Sequence, residues 1–399
     1  MSDQLAPSPS AEGAPAGGVR LLRKIDALDG FRGFAVLLVV ALHLPLAVTW
    51  YLFYRPSGWM RPFRIPSGGG YGVDAFFVLS GFLITAILLS DQARNGRVRF
   101  AAFYRRRALR LLPALVTFAV IYVVYEWATS LPSAHEPSSM LSVVFYYSNT
   151  WLHRVPMSPG LGHLWSLAVE EQFYLVWPLC LSLFLGLRRR VTPTVIILVT
   201  AIALIAARRA YLWDHGTSWL PLYTRLATRG DAMLVGCLLA QLWVRRKLPK
   251  RGIQLAGWVA LGYFLYIVRV GLSDSFLYRG GYTLVAFAIG LILLAILETN
   301  WMVNRLLTLR PLRAIGRVSY GIYIWHFPIF SAVGRYGYTW RPPVQAAVAL
   351  ALVALATCAS WFLVERPFLR WKDRLEDQNH PRRQSTDKSK PARFLPIAT

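Results

Sequence analysis

The chain has 399 residues, 55% of them hydrophobic, and carries 44 Lys and Arg against 19 Asp and Glu for a net charge of +25. With a mean hydropathy of +0.42 and long apolar runs, this excludes a soluble globular protein and points to an all-α, polytopic membrane helical bundle. Its three cysteines, Cys180, Cys237 and Cys358, all fall inside apolar runs, so neither a disulfide framework nor a metal site is expected.

Residues 1–19 are rich in Ala, Pro, Ser and Gly and lack the charged start and apolar stretch of a cleavable signal. Residues 1–24 are therefore expected to form a disordered cytoplasmic tail, with the first span acting as an uncleaved anchor. Because about 20 helical residues cross a hydrocarbon core of about 30 Å, ten segments are expected to span: 31–50, 72–90, 108–128, 163–187, 193–212, 226–245, 252–270, 279–298, 312–332 and 343–364. They define a membrane domain over residues 25–370. The segment 140–152, "MLSVVFYYSNTWL", is too short to cross and is expected to be re-entrant or interfacial. From 371 to 399 the chain is polar and basic and reads as a second disordered tail. Most Lys and Arg gather at Arg20–Lys24, Arg94–Arg110, 188–190, 245–251, Arg305–Arg317 and the C-terminal tail. The positive-inside rule then puts both termini in the cytoplasm of the plasma (inner) membrane. The net charge is read as this topological signal plus attraction to membrane lipids; no nucleic-acid-binding module is visible.

Several polar positions stand out along the spans. In "LDGFRGFAVLLVVALHL", Arg32 and His43 are eleven residues apart, which leaves them within about 20° on one helical face and about 16 Å apart along the axis. "GVDAFFVLSGFLI" contributes Asp74, and "RLATRGDAML" contributes Arg229 and Asp231; these intramembrane charges can pair structurally or serve a site. In "FYRRRALRLLP", Arg106, Arg107 and Arg110 lie on one face near a helix N terminus, an arrangement suited to phosphate groups. Topology alone also asks for basic residues there.

The stretch "HLWSLAVEEQFYLVWP" sets two adjacent acids, Glu170 and Glu171, among residues suited to lipid. His163, Ser166 and Glu170 form one polar stripe, while Glu171 is turned about 100° away and needs a different partner. Counting residues from either membrane edge puts Glu170 and His43 at nearly one depth, so the two are expected to meet; a purely structural ion pair is the alternative. In "RVSYGIYIWHFP", Ser319, Tyr323 and His326 share a face, and His326 falls where it too can reach the glutamate level.

Taken in order, "LDGFRG" with its following histidine, "GVDAFFVLSGFLI", "FYRRRALRLLP", "HLWSLAVEEQFYLVWP", "RGDAMLVGCLLA" and "SYGIYIWHFP" resemble the acyltransferase-3 family of integral membrane O-acyltransferases over nearly all of residues 25–370. The resemblance implies transfer of an acyl group, often acetyl, from cytosolic acyl-CoA to a hydroxyl of a surface glycan, a lipid-linked precursor or, in some members, a macrolide. It implies that Arg32 and His43 are essential and that Glu170 and Glu171 contribute.

On that reading His43 is the general base, oriented by Glu170 or Glu171. Arg32, Arg106, Arg107 and Arg110 hold CoA phosphates, Ser319, Tyr323 and His326 serve the acceptor or the developing oxyanion, and Asp74, His163 and Ser166 line the substrate site. Some members carry an appended periplasmic esterase-like domain; none is visible here, so transfer is expected to be completed alone or with a periplasmic partner protein. The competing class is a proton-coupled transporter relaying protons through Glu170, Glu171, Asp231 and His43. It lacks the internal repeats expected of that class and leaves the arginine cluster unexplained.

Overall fold

The computed structural model describes residues 25–48, 67–129, 136–154, 157–158, 160–187, 191–245 and 252–378. All regular structure among them is helical. Seven helices are long and apolar enough to cross a membrane, within 26–46, 68–95, 100–128, 162–184, 193–214, 277–298 and 342–372. The protein is thus a polytopic helical bundle. The N-terminal tail expected over 1–24, and the tail beyond 378, lie outside the described residues.

The sequence of helices is α1 (Asp26–His43), α2 (Tyr71–Asn95), α3 (Phe100–Ala128), the short α4 (Glu136–Val144) and α5 (Ser148–Trp151), α6 (Trp165–Leu187), α7 (Val191–Asp214), α8 (Trp219–Thr224), α9 (Leu226–Val244), α10 (Ile253–Ile267), α11 (Tyr282–Glu298), α12 (Met302–Leu307), α13 (Arg310–Arg317), α14 (Ser319–Tyr336), α15 (Pro342–Ser360) and α16 (Arg366–Gln378). The span expected at 312–332 is in fact two helices that break at Val318. Residues 371–378, expected to begin a disordered tail, instead complete α16.

Close helix contact rests on small residues, as it must where lipid removes the hydrophobic drive to associate. A side chain on Gly81 of α2 would strike the backbone of Met233, and one on Gly236 of α9 would strike that of Val78 and Phe82. The same relation holds between α1 and the α12–α13 corner, where Gly30 faces the carbonyl of Leu307, Gly33 that of Leu312, and Gly316 that of Asp29. Helix α2 is buried along most of its length. By contrast, α3 turns Val116, Val120, Ile121 and Val124 outward, where an apolar face suits lipid.

Two buried ion pairs staple the bundle away from α1. Arg229 of α9 donates from Nη2 to Asp74 Oδ1 at 2.5 Å, and Arg209 of α7 donates from Nη1 to Asp231 Oδ2 at 2.9 Å. Thr283 of α11 also donates to Asp231, at 2.5 Å. Each cation neutralises a carboxylate where either charge alone would be severely penalised.

Candidate active site

Helices α1 and α14 run in the same direction and meet through two polar contacts. At one end Arg32 Nη2 donates to Ser319 Oγ at 3.2 Å; at the other, His43 Nδ1 lies 3.0 Å from His326 Nε2. The first pair is eleven residues from the second on α1 but only seven on α14, a difference in rise of about 6 Å that the long arginine arm spans.

The hydrogen bonds of His326 fix the protonation pattern of this pair. Its Nδ1 lies 2.7 Å from the carbonyl oxygen of Tyr323 and 3.1 Å from that of Ile322. Carbonyls only accept, so Nδ1 carries the proton and Nε2 of the neutral ring offers a lone pair. His43 Nδ1 therefore donates to it. The consequence is that His43 Nε2 is left with its own lone pair, the arrangement a general base requires.

A third imidazole joins them. His163 sits in the tight turn Gly162–Leu164 that leads into α6. Its ring meets His326 edge-on at a centroid distance of 5.1 Å and stacks on Phe327 at 4.9 Å. It is 3% exposed; the backbone of Tyr323 and Ile324 lies beside the ring, but neither ring nitrogen makes a well-formed hydrogen bond. Toward the other end of α14, Tyr323 donates from its hydroxyl to the His163 carbonyl at 2.8 Å and lies 2.5 Å from Ser166 Oγ.

Beside Arg32 the site becomes cationic. Arg107 of α3 grips Glu171 with Nε 3.1 Å from both carboxylate oxygens and Nη2 2.5 Å from Oε1, and its guanidinium lies 3.2 Å above the Tyr174 ring. Glu170 accepts from Ser80 Oγ at 3.2 Å. Arg110 makes no hydrogen bond or ion pair among the described residues; its charged and phenolic neighbours are Arg32, Arg107, Tyr174 and Glu365. Arg106 is half-buried on the same helix.

Three expectations from the sequence are corrected by this geometry. His43 does not meet Glu170 or Glu171: its partner is His326, while the two acids face Ser80 and Arg107. Arg107 has its guanidinium committed to Glu171 and Tyr174, so it is not open to a phosphate in the way Arg110 is. Asp74, expected near the acceptor, is paired with Arg229 instead. Residues that sequence reasoning passed over include Ser80, Tyr174 and Phe327, and also the reciprocal amide pair Asn149–Gln172, at 3.2 and 2.9 Å. Gln172 further donates to the Tyr146 carbonyl at 2.7 Å, pinning the elbow between α4 and α5 to α6. The signal for that elbow was Gln172 itself, a third polar residue directly after the two acids.

The model of the acyltransferase-3 family, described as an acyltransferase domain, matches residues 25–365. The chain belongs to this family. Among curated proteins, it is 30% identical over 369 residues to the O-acetyltransferase OatA of Staphylococcus aureus (strain NCTC 8325 / PS 47), covering 86% of this chain and 57% of that protein. It is 32% identical over 386 residues to the peptidoglycan O-acetyltransferase OatA of Listeria monocytogenes, covering 89% of this chain and 58% of that protein. This acyltransferase-3 member thus spans a little over half the length of these two relatives. No solved structure matches the chain.

Proposed function

We propose that the protein transfers an acetyl group from acetyl-CoA to a hydroxyl of a cell-surface glycan, with peptidoglycan as the first acceptor to test. The observation that carries this reading is the His43–His326 hydrogen bond, which leaves His43 Nε2 with a lone pair beside the buried His326. Support for an anionic donor comes from Arg110 beside Arg32 and Arg107, and support for a glycan acceptor from the name of the Listeria relative.

In this mechanism His43 Nε2 takes the proton of the acceptor hydroxyl as its oxygen attacks the thioester carbon. The tetrahedral adduct collapses, the carbon–sulfur bond breaks, and His43 returns the proton to the CoA sulfur. His326 accepts from His43 Nδ1–H throughout, a bond that strengthens when His43 is cationic. Arg110, with Arg32 and Arg106, holds the CoA phosphates. The positive-inside rule supports a cytoplasmic side for these arginines and for both termini, and hence entry of the donor from that side.

The test is purified protein in liposomes with labelled acetyl-CoA and a peptidoglycan fragment. An alkali-labile labelled ester on the glycan, with matching CoA release, is expected. Absence of both, with proton flux across the liposome instead, would support transport and overturn the proposal.

A further inference from the structure

Acyl transfer needs two things at the reacting carbon: a base for the incoming hydroxyl and a donor for the oxygen on which negative charge develops. His43 supplies the first. Each expected candidate for the second is already engaged or distant. Ser319, whose Oγ accepts from Arg32, lies seven residues or about 10 Å along α14 from His326, the Tyr323 hydroxyl spends its proton on the His163 carbonyl, and His326 has one nitrogen against two carbonyls and the other against His43. Glu170 lies against Ser80.

His163 is the exception. A buried imidazole with both nitrogens unsatisfied is penalised unless something else completes it. Its ring is nevertheless held firmly, stacked on Phe327 and edge-on to His326. His43 touches those same two rings, at centroid distances of 4.9 and 5.1 Å. The two imidazoles thus pack against the same pair of rings, His43 with a lone pair on Nε2 and His163 with no well-formed hydrogen bond at either nitrogen.

Resting on the acetyl-transfer reading above, we infer that His163 is a further catalytic residue: as a neutral imidazole it donates its N–H to the thioester carbonyl oxygen and to the oxyanion that oxygen becomes. Because neither nitrogen is held in a well-formed hydrogen bond, the bound thioester selects the tautomer. The packing of the ring against Phe327 means that the donor is aimed before the substrate arrives, which is the condition under which such a donor acts most strongly.

His163→Phe keeps an aromatic ring on Phe327 and removes the donor, whereas His163→Gln restores an N–H. Acetyl-CoA turnover by wild-type protein and both variants in liposomes separates the roles. The expected result is a loss in kcat of about 100- to 1,000-fold for the Phe variant. Its KM for acetyl-CoA should stay near wild type, a substantial part of kcat should return in the Gln variant, and the pH–rate profile of the Gln variant should keep its wild-type shape. A Phe variant with wild-type kcat, a Gln variant no better than Phe, or a displaced acid limb in the Gln variant would overturn the inference while leaving the reaction in place. No turnover by wild-type protein would overturn the underlying reading as well.

Discussion

His43 Nδ1 faces His326 Nε2 at 3.0 Å, and the far nitrogen of His326 is anchored on the backbone carbonyls of its own helix. The second histidine thus works as a positioning residue, since it fixes the tautomer and the ring plane of the first. His326→Ala is expected to lower kcat by about 100-fold or more, as removal of correctly poised acid–base function does. His326→Gln, whose amide oxygen can accept from His43, should recover part of that loss. Steady-state CoA release measures both, and a wild-type rate in the Ala variant would contradict the positioning role.

The Arg107–Glu171 pair is expected to matter for stability. Its side chains are 21% and 14% exposed, so deleting the acid strands a largely buried cation. Glu171→Ala should cost about 3 kcal/mol of stability, and the Arg107→Met/Glu171→Met double variant should regain much of it. Thermal unfolding in detergent reads this; a Tm unchanged in Glu171→Ala would show that the pair is not a clamp.

Arg110 has no hydrogen bond or ion pair to lose among the described residues. Arg110→Gln should therefore leave the Tm within a degree or two of wild type while raising the KM for acetyl-CoA about tenfold or more, the effect of removing one charged hydrogen bond. A change in Tm without a change in KM would reassign the residue to structure.

At the α1–α13 contact, a methyl group on Gly316 would run into the carbonyl of Asp29, one turn before Arg32. Gly316→Ala should push α1 outward, with overpacking worth about 1–3 kcal/mol, and loosen the Arg32–Ser319 contact. Lower yield of monodisperse protein, with reduced kcat in what remains, is the expected outcome.

Much of this arrangement is legible in the sequence alone. The face shared by Ser319, Tyr323 and His326 follows from helical spacing and is the face that meets α1 and α6. The need of Glu171 for a separate partner follows from the 100° step between adjacent helical residues, and Arg107 fills it. The partner of His43 could not be read in the same way. Residue counting gives depth and face within one helix, but the rotation of one helix against another is set by where glycines permit close approach. By residue count Glu170 and His326 both fall near the depth of His43; the close approach of α1 to α13, which is joined to α14 through the break at Val318, brings up the histidine. The break at Val318 was hidden for a related reason: apolar composition runs straight through it. The elbow at Tyr146 was hidden because segments as short as α4 and α5 carry too little periodicity to place.

The most direct measurement is turnover of acetyl-CoA by His43→Ala in liposomes beside wild-type protein of equal yield and Tm. Loss of CoA release and of glycan ester by a factor of about 100 or more, with fold and membrane insertion intact, is expected of the base. A variant that still acetylates the acceptor at the wild-type rate would contradict the central role given to the His43–His326 pair.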